Sequence, residues 1–595
     1  MKMSYNSIAE MFIQCVEKYA DNPAYFDKIN GEWQGKTYKE VGEIVENLSG
    51  GLTSLGIQKG DKVAILSTNS SKWACADYAI TGLGAVTVTV YPTLTNPQIQ
   101  YIFDDSETKY AFVENQDQLE KTRSLVQKCT HMQGYILMDD SETDSADVIG
   151  FNTLIEKGIE HRKSTDFDFK AIAATINPND LLTLIYTSGT TGPPKGAMLS
   201  HNNLISNIVS GRKAIHIDEN DIFLSFLPLS HVFERMVGHF TGLTAGGRVY
   251  YAESIDTVAE NMGEVKPTIM ASVPRLYEKM YNKVLDKVSN DPPLRQKIFW
   301  WAIGVGKEAM PYICKNSRPS GWLGFKFGLA EKLVFSKIKE RVGGRLRFFV
   351  SGGAPLSQEI AEFFAAANII ILEGYGLTET SPVITNNRLD NVKLGTVGQP
   401  IDGVEVKIAA DGEIICRGEN VMLGYFKNEA ATKESIDADG WFHTGDIGEF
   451  DEDGFLRITD RKKNILVTSG GKNIAPAPME NALIASKYIE QVVVLGDRRN
   501  FISALIVPAP EALQEWAENN NITDEVMNNE KTIQLFENVV NKGMEGFAHY
   551  ETVKKFKLVV DEWSVETGEL TPTLKVKRKV IVEKYAELID SIYQV

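Results

Sequence analysis

The sequence has few cysteines and no excess of positive charge, and both shortages narrow the class of protein. Its five cysteines, Cys15, Cys75, Cys129, Cys314 and Cys416, are scattered over 595 residues without a C-x-x-C pair. This spacing disfavours a disulfide framework or a zinc site and favours a reducing compartment. The formal net charge of −17 argues against a general nucleic-acid-binding protein, whose footprint is a basic surface. A locally basic nucleotide site remains compatible with it.

Long uninterrupted apolar segments are also missing. The first 23 residues carry acidic side chains within their apolar pattern, unlike a signal peptide. The most apolar long stretch, residues 74–92, contains Asp77 and several small residues, which is typical of a buried helix followed by a strand rather than a membrane span. We therefore expect a cytoplasmic protein.

What the sequence does contain is a regular alternation of helical and strand patterns. Its length and its composition, 43% hydrophobic and 24% charged, fit a globular protein of two or more domains. Over the first 115 residues, a helix capped by Thr37 and Glu40 precedes strands predicted at 62–66, 85–90 and 110–113. This alternation predicts βαβ units and a largely parallel sheet, in which ligands bind beyond the carboxyl ends of strands.

The pattern changes after about residue 400, where short strand-like segments alternate with glycine-rich turns. From roughly 461 onward, strands mix with charged helices. The charged stretch TDRKKN at 459–464 marks the predicted boundary, which divides the chain into residues 1–459 and 460–595. An ordinary surface turn explains this stretch equally well on composition alone.

Three predicted strands run into loops suited to a nucleotide. The first, 181–186, enters YTSGTTGPPKGAMLSH (186–201), after which we predict a helix. Hydroxyl groups and freed backbone N–H groups suit polyphosphate oxygens, and a lysine adds positive charge. The residues concerned are Thr187, Ser188, Gly189, Thr190, Thr191, Gly192 and Lys195. The spacing differs from that of a Walker A loop, and a flexible polar loop is the alternative.

The second and third strands, 346–350 and 368–373, lead into SGGAPLS and GYGLTET. In the third loop, Tyr375 is suited to stack on a purine, Thr378 to bond phosphate, and Glu379 to hold Mg²⁺ beside it. A carboxylate next to phosphate would be repulsive without such a cation.

Two later segments add candidates. Asp446, at the end of WFHTGD (441–446), suits two vicinal ribose hydroxyls, and Arg461 is suited to a second ribose or phosphate contact. Each signal is weak alone, because Asp after Gly is usually a turn residue. The basic segment 567–579 places Lys575 behind a proline-containing turn, from which a loop can carry it into a site. A solvated run of charges is the alternative.

Taken together, the motifs resemble the acyl-adenylate-forming (AMP-binding) superfamily and, within it, the long-chain fatty acyl-CoA synthetases. They cover nearly the whole chain in the family's order: YTSGTTGPPKG, LPLSHVFER (227–235), SGGAPL, EGYGLTET, GWFHTGD, TDRKKNILVTSGGKNIAPAPMEN and LTPTLKVKR. The resemblance implies an α/β fold class: a large N-terminal domain of stacked βαβ-type sheets with a small β-barrel-like subdomain, and a small mobile α+β C-terminal domain.

The resemblance also implies a two-step ligase. A fatty carboxylate attacks the α-phosphate of ATP in the presence of Mg²⁺, giving acyl-AMP and pyrophosphate; the thiol of CoA then displaces AMP. Delivery of the acyl group to a carrier protein instead of CoA is the alternative enzyme. A non-catalytic lipid- or nucleotide-binding relative is a third reading, disfavoured because Lys575, Glu379 and Asp446 are all present. The expected partners are small molecules and, peripherally, a membrane surface, but no nucleic acid.

Site roles follow from the same resemblance. Lys575 would meet the α-phosphate, His231 the acyl carboxylate and adenylate, and Asp460 would be the hinge; an interior structural histidine is the alternative for His231. Thr187 and Glu379 would hold the metal. The remaining nucleotide and CoA contacts would come from the loops already described and from the segment after the hinge: Gly352, Gly353, Ala354, Glu373, Gly374, Tyr375, Gly376, Thr378, Asp446, Arg461, Lys463, Gly470 and Gly471.

One position departs from the family pattern. Some members place a tryptophan gate four residues after the histidine, where this chain has Arg235. Entry of the fatty acid through an aromatic gate is therefore not expected from this position.

The region 295–335 is unusually aromatic, and three interpretations of it stay open: the wall of the acyl tunnel, a membrane contact, or a buried helical core.

Overall fold

A computed structural model describes residues 5–139, 141, 145–187, 193–469, 472–523, 525–564, 566–571 and 576–594. The first part of the chain alternates helices and strands as its sequence predicts. The helices are α1 (Ile8–Lys18), α2 (Tyr38–Ser54), α3 (Ser71–Gly82), α4 (Asn96–Ser106), α5 (Gln116–Thr122), α6 (Leu125–Lys128), α7 (Phe151–Ser164) and α8 (Phe169–Ala173). The strands are β1 (Pro23–Ile29), β2 (Glu32–Thr37), β3 (Lys62–Leu66), β4 (Val86–Val90), β5 (Thr108–Val113), β6 (Gly134–Leu137), β7 (Val148–Gly150) and β8 (Leu181–Thr187).

The middle part is richer in helices and contains two π-helical turns, Arg235–Phe240 and Glu331–Phe335. Its helices are α9 (His201–Ala214), α10 (Val232–Glu234), α11 (Thr241–Ala245), α12 (Val258–Val265), α13 (Pro274–Ser289), α14 (Pro293–Ile313), α15 (Gly321–Ala330), α16 (Ser336–Arg341) and α17 (Gln358–Ala366). Its strands are β9 (Lys195–Ser200), β10 (Ile222–Ser225), β11 (Arg248–Tyr251), β12 (Ile269–Ser272), β13 (Phe348–Ser351), β14 (Ile370–Gly376), β15 (Val383–Asn386) and β16 (Gln399–Pro400).

The last part begins with short antiparallel strands and ends in helices. Its strands are β17 (Val404–Ile408), β18 (Glu413–Gly418), β19 (Gly424–Tyr425), β20 (Phe442–Phe450), β21 (Leu456–Arg461), β22 (Leu466–Val467), β23 (Asn473–Ile474), β24 (Ile489–Leu495), β25 (Ile502–Pro508) and β26 (Val553–Leu558). Its helices are α18 (Glu429–Ser435), α19 (Pro476–Ile484), α20 (Pro510–Asn519), α21 (Glu530–Gly543), α22 (Arg578–Lys584) and α23 (Ala586–Tyr593).

Two large, mostly parallel sheets form the N-terminal part. One has the order β19-β9-β8-β4-β3-β5-β6-β7 and the other β16-β15-β14-β13-β12-β10-β11-β1-β2. The period-two alternation of strand β3 explains how they are joined. Val63 and Ile65 face a core shared with the second sheet, whereas Ala64 and Leu66 face a separate apolar cluster on the other side. The predicted stacked βαβ sheets are confirmed.

The small antiparallel region after residue 400 forms a four-stranded sheet with the order β17-β18-β20-β21. This sheet is a half-barrel, in agreement with the predicted barrel-like subdomain. The C-terminal unit has its own three-stranded sheet, β24-β25-β26, and two apolar clusters of its own. The described buried residues of the large clusters end at Leu456 and those of the C-terminal clusters begin at Leu466. The predicted boundary at 459/460 falls in this interval and stays a prediction.

A buried ion pair anchors helix α3 to the π-helical turn Arg235–Phe240. The guanidinium of Arg235 contacts both carboxylate oxygens of Asp77, and its Nη1 donates to Thr183 Oγ1 at 2.8 Å. His239 and Thr87 also contact the same carboxylate. Burial opposes ionisation of Asp77, but Arg235 and His239 outweigh it and lower its pKa to about 2. Arg235 is thus a structural charge partner.

Candidate active site

One cleft of about 3620 Å³ collects the candidate residues. Its wall comes from both large sheets, from the small antiparallel sheet and from the C-terminal unit. All fifteen predicted site residues that the structure describes line it: Thr187, Lys195, His231, Gly352, Gly353, Ala354, Glu373, Gly374, Tyr375, Gly376, Thr378, Glu379, Asp446, Arg461 and Lys463. The sequence alone could not establish this convergence, because strand β8 belongs to one sheet and strands β13 and β14 to the other.

Eight predicted residues lie outside the described part of the chain: Ser188, Gly189, Thr190, Thr191, Gly192, Gly470, Gly471 and Lys575. Described neighbours of two of these groups line the cleft, namely Thr187 before residues 188–192 and Thr571 and Val576 on either side of 572–575, whereas Ser469 and Lys472 beside Gly470 and Gly471 do not. The predicted roles of these eight residues therefore stay proposals.

The structure adds a strand between the glycine-rich loop and the predicted helix. Lys195 begins strand β9, which pairs antiparallel with β8, with Thr187 opposite Lys195; helix α9 starts only at His201. The helix predicted after YTSGTTGPPKGAMLSH is confirmed as α9. Strand β9 within the motif was not predicted; residues 195–200 form it because they pair with β8. The lysine consequently projects from a strand.

The segment GYG also differs from the prediction of a loop. Residues 374–376 continue strand β14 and pair with strand β15. A Cβ at Gly376 would lie 1.7 Å from the carbonyl oxygen of Pro382, so the close approach of the backbone excludes a side chain there. Gly353 has a φ of +82°, which favours glycine for a conformational reason. Both glycines thus have a structural explanation independent of any ligand.

Glu379 is held by a tyrosine that the sequence did not single out. The hydroxyl of Tyr425 donates to Glu379 Oε1 at 2.8 Å, and Lys195 Nζ lies 4.8 Å from the centre of the Tyr425 ring. Burial and the charge of Glu379 raise the pKa of Tyr425, which keeps its proton available for donation. Tyr425 therefore joins the lysine of the first loop to the carboxylate of the third. No motif marks it, since it lies on the two-residue strand β19.

A second polar group centres on Asp446. Its Oδ2 accepts from the hydroxyl of Tyr375 at 2.7 Å, and Arg461 Nε lies 3.1 Å from its Oδ1. The side chains of Asp446 and Arg461 meet because the two residues are opposite each other in strands β20 and β21. Behind them, Glu413 accepts from the backbone N–H of Gly445 at 2.8 Å and fixes the turn. This arrangement presents a carboxylate, an aromatic ring and a guanidinium together.

His231 and two buried carboxyls lie along the adjoining wall. His231 Nδ1 accepts from the backbone N–H of Phe233 at 3.2 Å and caps helix α10, which assigns the proton of the neutral ring to Nε2. Burial raises the pKa of Glu234 to about 8 and that of Glu373 to about 8. Both carboxyls are therefore largely protonated at neutral pH. Glu234 was not predicted, and one of its oxygens has no partner among the described residues.

Part of the cleft wall is apolar. Its side chains come from the segment just after helix α9, from the π-helical turn Arg235–Phe240 and from helix α12: Ile215, Ile217, Met236, Val237, Val258 and Met262. No residue between Lys283 and Val350 lines the cleft. The interpretation of region 295–335 as the wall of an acyl tunnel was therefore wrong, because its helices pack behind the cleft. Arg235 points away into its ion pair with Asp77.

Asp460 joins the two units in this structure. It lies at the end of strand β21, is 4% exposed, and accepts from the backbone N–H of Ala477 at 3.1 Å. Ala477 is in the first turn of α19, so the carboxylate substitutes for the side-chain N-cap that this helix lacks. Burial raises the pKa of Asp460. Away from the cleft, Lys487 Nζ of the C-terminal unit lies 2.9 Å from Asp286 Oδ1 of helix α13.

The fold combines two large α/β sheets, a small antiparallel sheet and a C-terminal α+β unit around a shared cleft. This arrangement defines a class of two-part α/β enzymes. Models of protein families identify the family within this class. The model described as AMP-binding enzyme matches residues 12–426, and that described as AMP-binding enzyme C-terminal domain matches residues 463–595. The chain belongs to the AMP-binding enzyme family.

Curated relatives match over the whole length. The long-chain-fatty-acid–CoA ligase FadD15 of Mycobacterium bovis is 36% identical over 99% of this chain and 97% of its own. The long-chain-fatty-acid–CoA ligase ACSBG2 of Xenopus laevis is 32% identical over 99% of this chain and 84% of its own. The predicted resemblance is thereby confirmed at the level of the family.

Solved structures share the fold. The anthranilate CoA ligase AuaEII in complex with anthranoyl-AMP superposes with a TM-score of 0.76 at 20% identity, over 99% of both chains. The adenylation domain of a carboxylate reductase from Mycobacterium chelonae gives 0.78 at 24% identity, over 100% of this chain and 92% of that one. At these identities the likeness concerns the fold alone.

Proposed function

We propose that the protein is an ATP-dependent long-chain fatty acid–CoA ligase that forms an acyl-adenylate and then a CoA thioester. The observation that carries this proposal is the single cleft in which polar nucleotide-type groups adjoin an apolar wall. The family and the names of its full-length relatives support the same activity.

In the first step, the chain's residues would hold ATP for attack at the α-phosphate. The loop 187–192 and Lys195 would bind the β- and γ-phosphates. Gly352, Gly353, Ala354, Glu373, Gly374 and Gly376 would border the nucleotide, the ring of Tyr375 would stack on the adenine, and Thr378 would bond phosphate. Asp446 would accept from the ribose hydroxyls, with Arg461 and Lys463 beside it. Binding would require Arg461 to share the Asp446 carboxylate with the ribose.

Magnesium fits this site as an ion held chiefly by substrate. Among the described residues, no group of three or more acidic, histidine or cysteine side chains could hold a metal. Glu379 lines the cleft, and its described partner is the hydroxyl of Tyr425 rather than a basic side chain. Mg²⁺ is commonly bound by one or two carboxylates together with substrate phosphates, so Glu379 with Thr187 suffices. When bound, the ion would neutralise phosphate charge that develops during adenylation.

The acyl chain would lie along the apolar wall with its carboxylate near His231. The Nε2–H of the neutral ring would donate to a carboxylate or adenylate oxygen. Lys575 would stabilise the charge developing on the α-phosphate. The fatty carboxylate would become a good electrophile only once its oxygen carries AMP as a leaving group. Forming that anhydride would develop negative charge on the α-phosphate, which the lysine would stabilise.

For the second step, the C-terminal unit would rotate about Asp460. Rotation would break the bond from Ala477 to the Asp460 carboxylate and would bring Gly470 and Gly471 toward the cleft, where the pantetheine of CoA would pass close to backbone. The chain would act in the cytoplasm, close to lipid surfaces that hold long-chain fatty acids. Among the described residues, no helix is both long and apolar enough to span a bilayer.

Incubation with ATP, Mg²⁺ and palmitate, with and without CoA, tests the proposal. A CoA ligase gives palmitoyl-CoA, AMP and pyrophosphate in equal amounts, with little turnover when CoA is omitted. Slow pyrophosphate release that CoA does not accelerate would instead indicate the carrier-protein alternative, which the names of the relatives do not favour.

Glu379→Gln should lower turnover at limiting Mg²⁺, because it removes one charge and nearly preserves the shape. The expected result is a raised Mg²⁺ requirement that excess Mg²⁺ partly overcomes. Titrating Mg²⁺ at saturating ATP measures it.

Two variants serve as comparisons. Glu434→Gln neutralises an exposed carboxylate of the same cleft and should keep the wild-type Mg²⁺ requirement. Tyr425→Phe removes the donor to Glu379 and should give an intermediate shift. A wild-type Mg²⁺ curve for Glu379→Gln would remove Glu379 from the metal site.

A further inference from the structure

An exposed apolar stripe runs along a helix behind the cleft. Residues 321–341 form one continuous helix, made of α15, the π-helical turn Glu331–Phe335 and α16. Trp322, Phe325, Leu329 and Leu333 are 72%, 63%, 42% and 42% exposed. Their spacings of three, four and four residues place them on one side, which we call the aromatic face. The rings of Trp322 and Phe325 stack with their centres 5.4 Å apart.

The other side of the same helix is buried. Phe327, Ala330, Phe335 and Ile338 belong to the large core cluster. The aromatic face is therefore not a displaced core surface, since the helix already packs through its opposite side. Helix α14, linked to α15 by the ion pair of Glu308 and Lys326, exposes further aromatic side chains, including Trp300 at 53%.

The charge around the aromatic face is opposite to that of the whole chain. Residues 293–341 carry ten Lys or Arg and three Glu, whereas the protein as a whole has a formal charge of −17. Lys332 and Lys337 are exposed and lie next to Leu333 and one turn beyond it. Exposed aromatic and aliphatic side chains flanked by lysines are the composition of helices that lie in the interface of anionic membranes.

The aromatic face also lies close to the apolar part of the cleft. Helix α16 packs against helix α12, whose Val258 and Met262 line that part of the wall. Ile338 of α16 and Met262 of α12 belong to the same core cluster. A surface contacted by the aromatic face would therefore be separated from the apolar wall by one helix layer.

We propose that the aromatic face docks the protein on an anionic lipid surface, with Trp322 and Phe325 entering the headgroup region and Lys332 and Lys337 facing acidic headgroups. The inference rests on the proposed function for its purpose, because a long-chain fatty acid resides in lipid rather than in water. The docking itself depends only on the residues of the face and their charge.

Flotation of the full-length protein with vesicles, without ATP or CoA, tests the docking. We expect binding to vesicles of phosphatidylglycerol and phosphatidylcholine, and much weaker binding to phosphatidylcholine alone or at high salt. Trp322→Ser/Phe325→Ser should weaken binding about tenfold or more, because two side chains lose their burial in lipid. Lys332→Glu/Lys337→Glu should weaken binding to the anionic vesicles alone.

Tyr550→Ser/Val560→Ser is the matched control, because it removes an aromatic and an aliphatic side chain that are 53% and 78% exposed in the C-terminal unit. It should bind like the wild type. Equal binding by the Trp322/Phe325 variant, or no binding by the wild type, overturns the proposal. A dimer in light scattering that only the Trp322/Phe325 variant dissociates, without vesicle binding, would assign the face to a second copy.

The ligase proposal fails separately. Vesicle binding by a protein that makes no acyl-CoA would reject the ligase activity and keep the docking surface. Acyl-CoA formation from a dissolved medium-chain fatty acid should be equal in the wild type and the Trp322/Phe325 variant. The rate of palmitoyl-CoA formation from palmitate embedded in anionic vesicles should be lower in the Trp322/Phe325 variant, because the variant binds these vesicles more weakly.

Discussion

Lys575→Ala should lower ATP-dependent pyrophosphate release by about 10²–10³-fold, the usual effect of removing one donor that stabilises transition-state charge. Presynthesised palmitoyl-AMP and CoA should still give palmitoyl-CoA at close to the wild-type rate. The reason is that the lysine would meet the α-phosphate only during adenylation and would leave when the C-terminal unit rotates. The two rates are measured on the same preparation.

Lys579→Ala is the matched control for this variant. Lys579 belongs to the same basic segment, is 64% exposed, and lies 3.9 Å from Glu583 in an exposed pair of little energetic value. Its removal should change neither rate appreciably. If both half-reactions fall together in a folded Lys575→Ala protein, the lysine has been given the wrong role. If neither falls, the segment is only a solvated run of charges.

Asp77→Ala should lower the free energy of unfolding by about 3–5 kcal/mol, because it leaves the guanidinium of Arg235 buried without its counter-charge. The side chains of Asp77 and Arg235 are 0% and 1% exposed, so water cannot replace the lost partner. Urea unfolding followed by tryptophan fluorescence measures the effect, since Trp73 packs beside this pair.

The double variant Asp77→Leu/Arg235→Met separates the lost charge pair from lost packing. It removes both charges and should be more stable than Asp77→Ala, since a buried pair can be replaced by apolar groups of similar size at little cost. The folded pKa of Asp77 is below its ordinary value of about 3.9. The stability that ionised Asp77 contributes to the folded protein is therefore fully present above the ordinary pKa of about 3.9 and is lost as the pH falls toward 2. An Asp77→Ala protein within 1 kcal/mol of the wild type would contradict this account.

The fold could be predicted largely because each strand carries its periodicity locally. Val63 to Leu66 alternate between two apolar clusters, and the capping box of Thr37 and Glu40 is present as expected at the start of helix α2. Pairing between distant segments could not be predicted. Residues 195–200 were included in a glycine-rich loop motif and the segment GYG was assigned to a loop, yet both pair as strands with partners that only the tertiary structure supplies.

The candidate site shows the same limit. Motifs identified the residues that line the cleft, but they gave no sign of the groups that hold those residues in place. Tyr425 reaches Glu379 from a strand of two residues, and Glu413 fixes the turn before Asp446 from a neighbouring strand. Arg235 occupies the position at which some members of the family have a tryptophan gate, and its burial against Asp77 makes it structural.

The most direct test of the central claim follows one oxygen atom. Palmitate labelled with ¹⁸O in its carboxylate is incubated with the protein, ATP, Mg²⁺ and CoA, and the phosphorus-containing products are examined by mass spectrometry. If the carboxylate attacks the α-phosphate and CoA then displaces AMP, each turnover leaves one ¹⁸O in AMP and none in pyrophosphate. Label in inorganic phosphate with ADP as co-product, or unlabelled AMP beside labelled palmitoyl-CoA, would contradict an acyl-adenylate route.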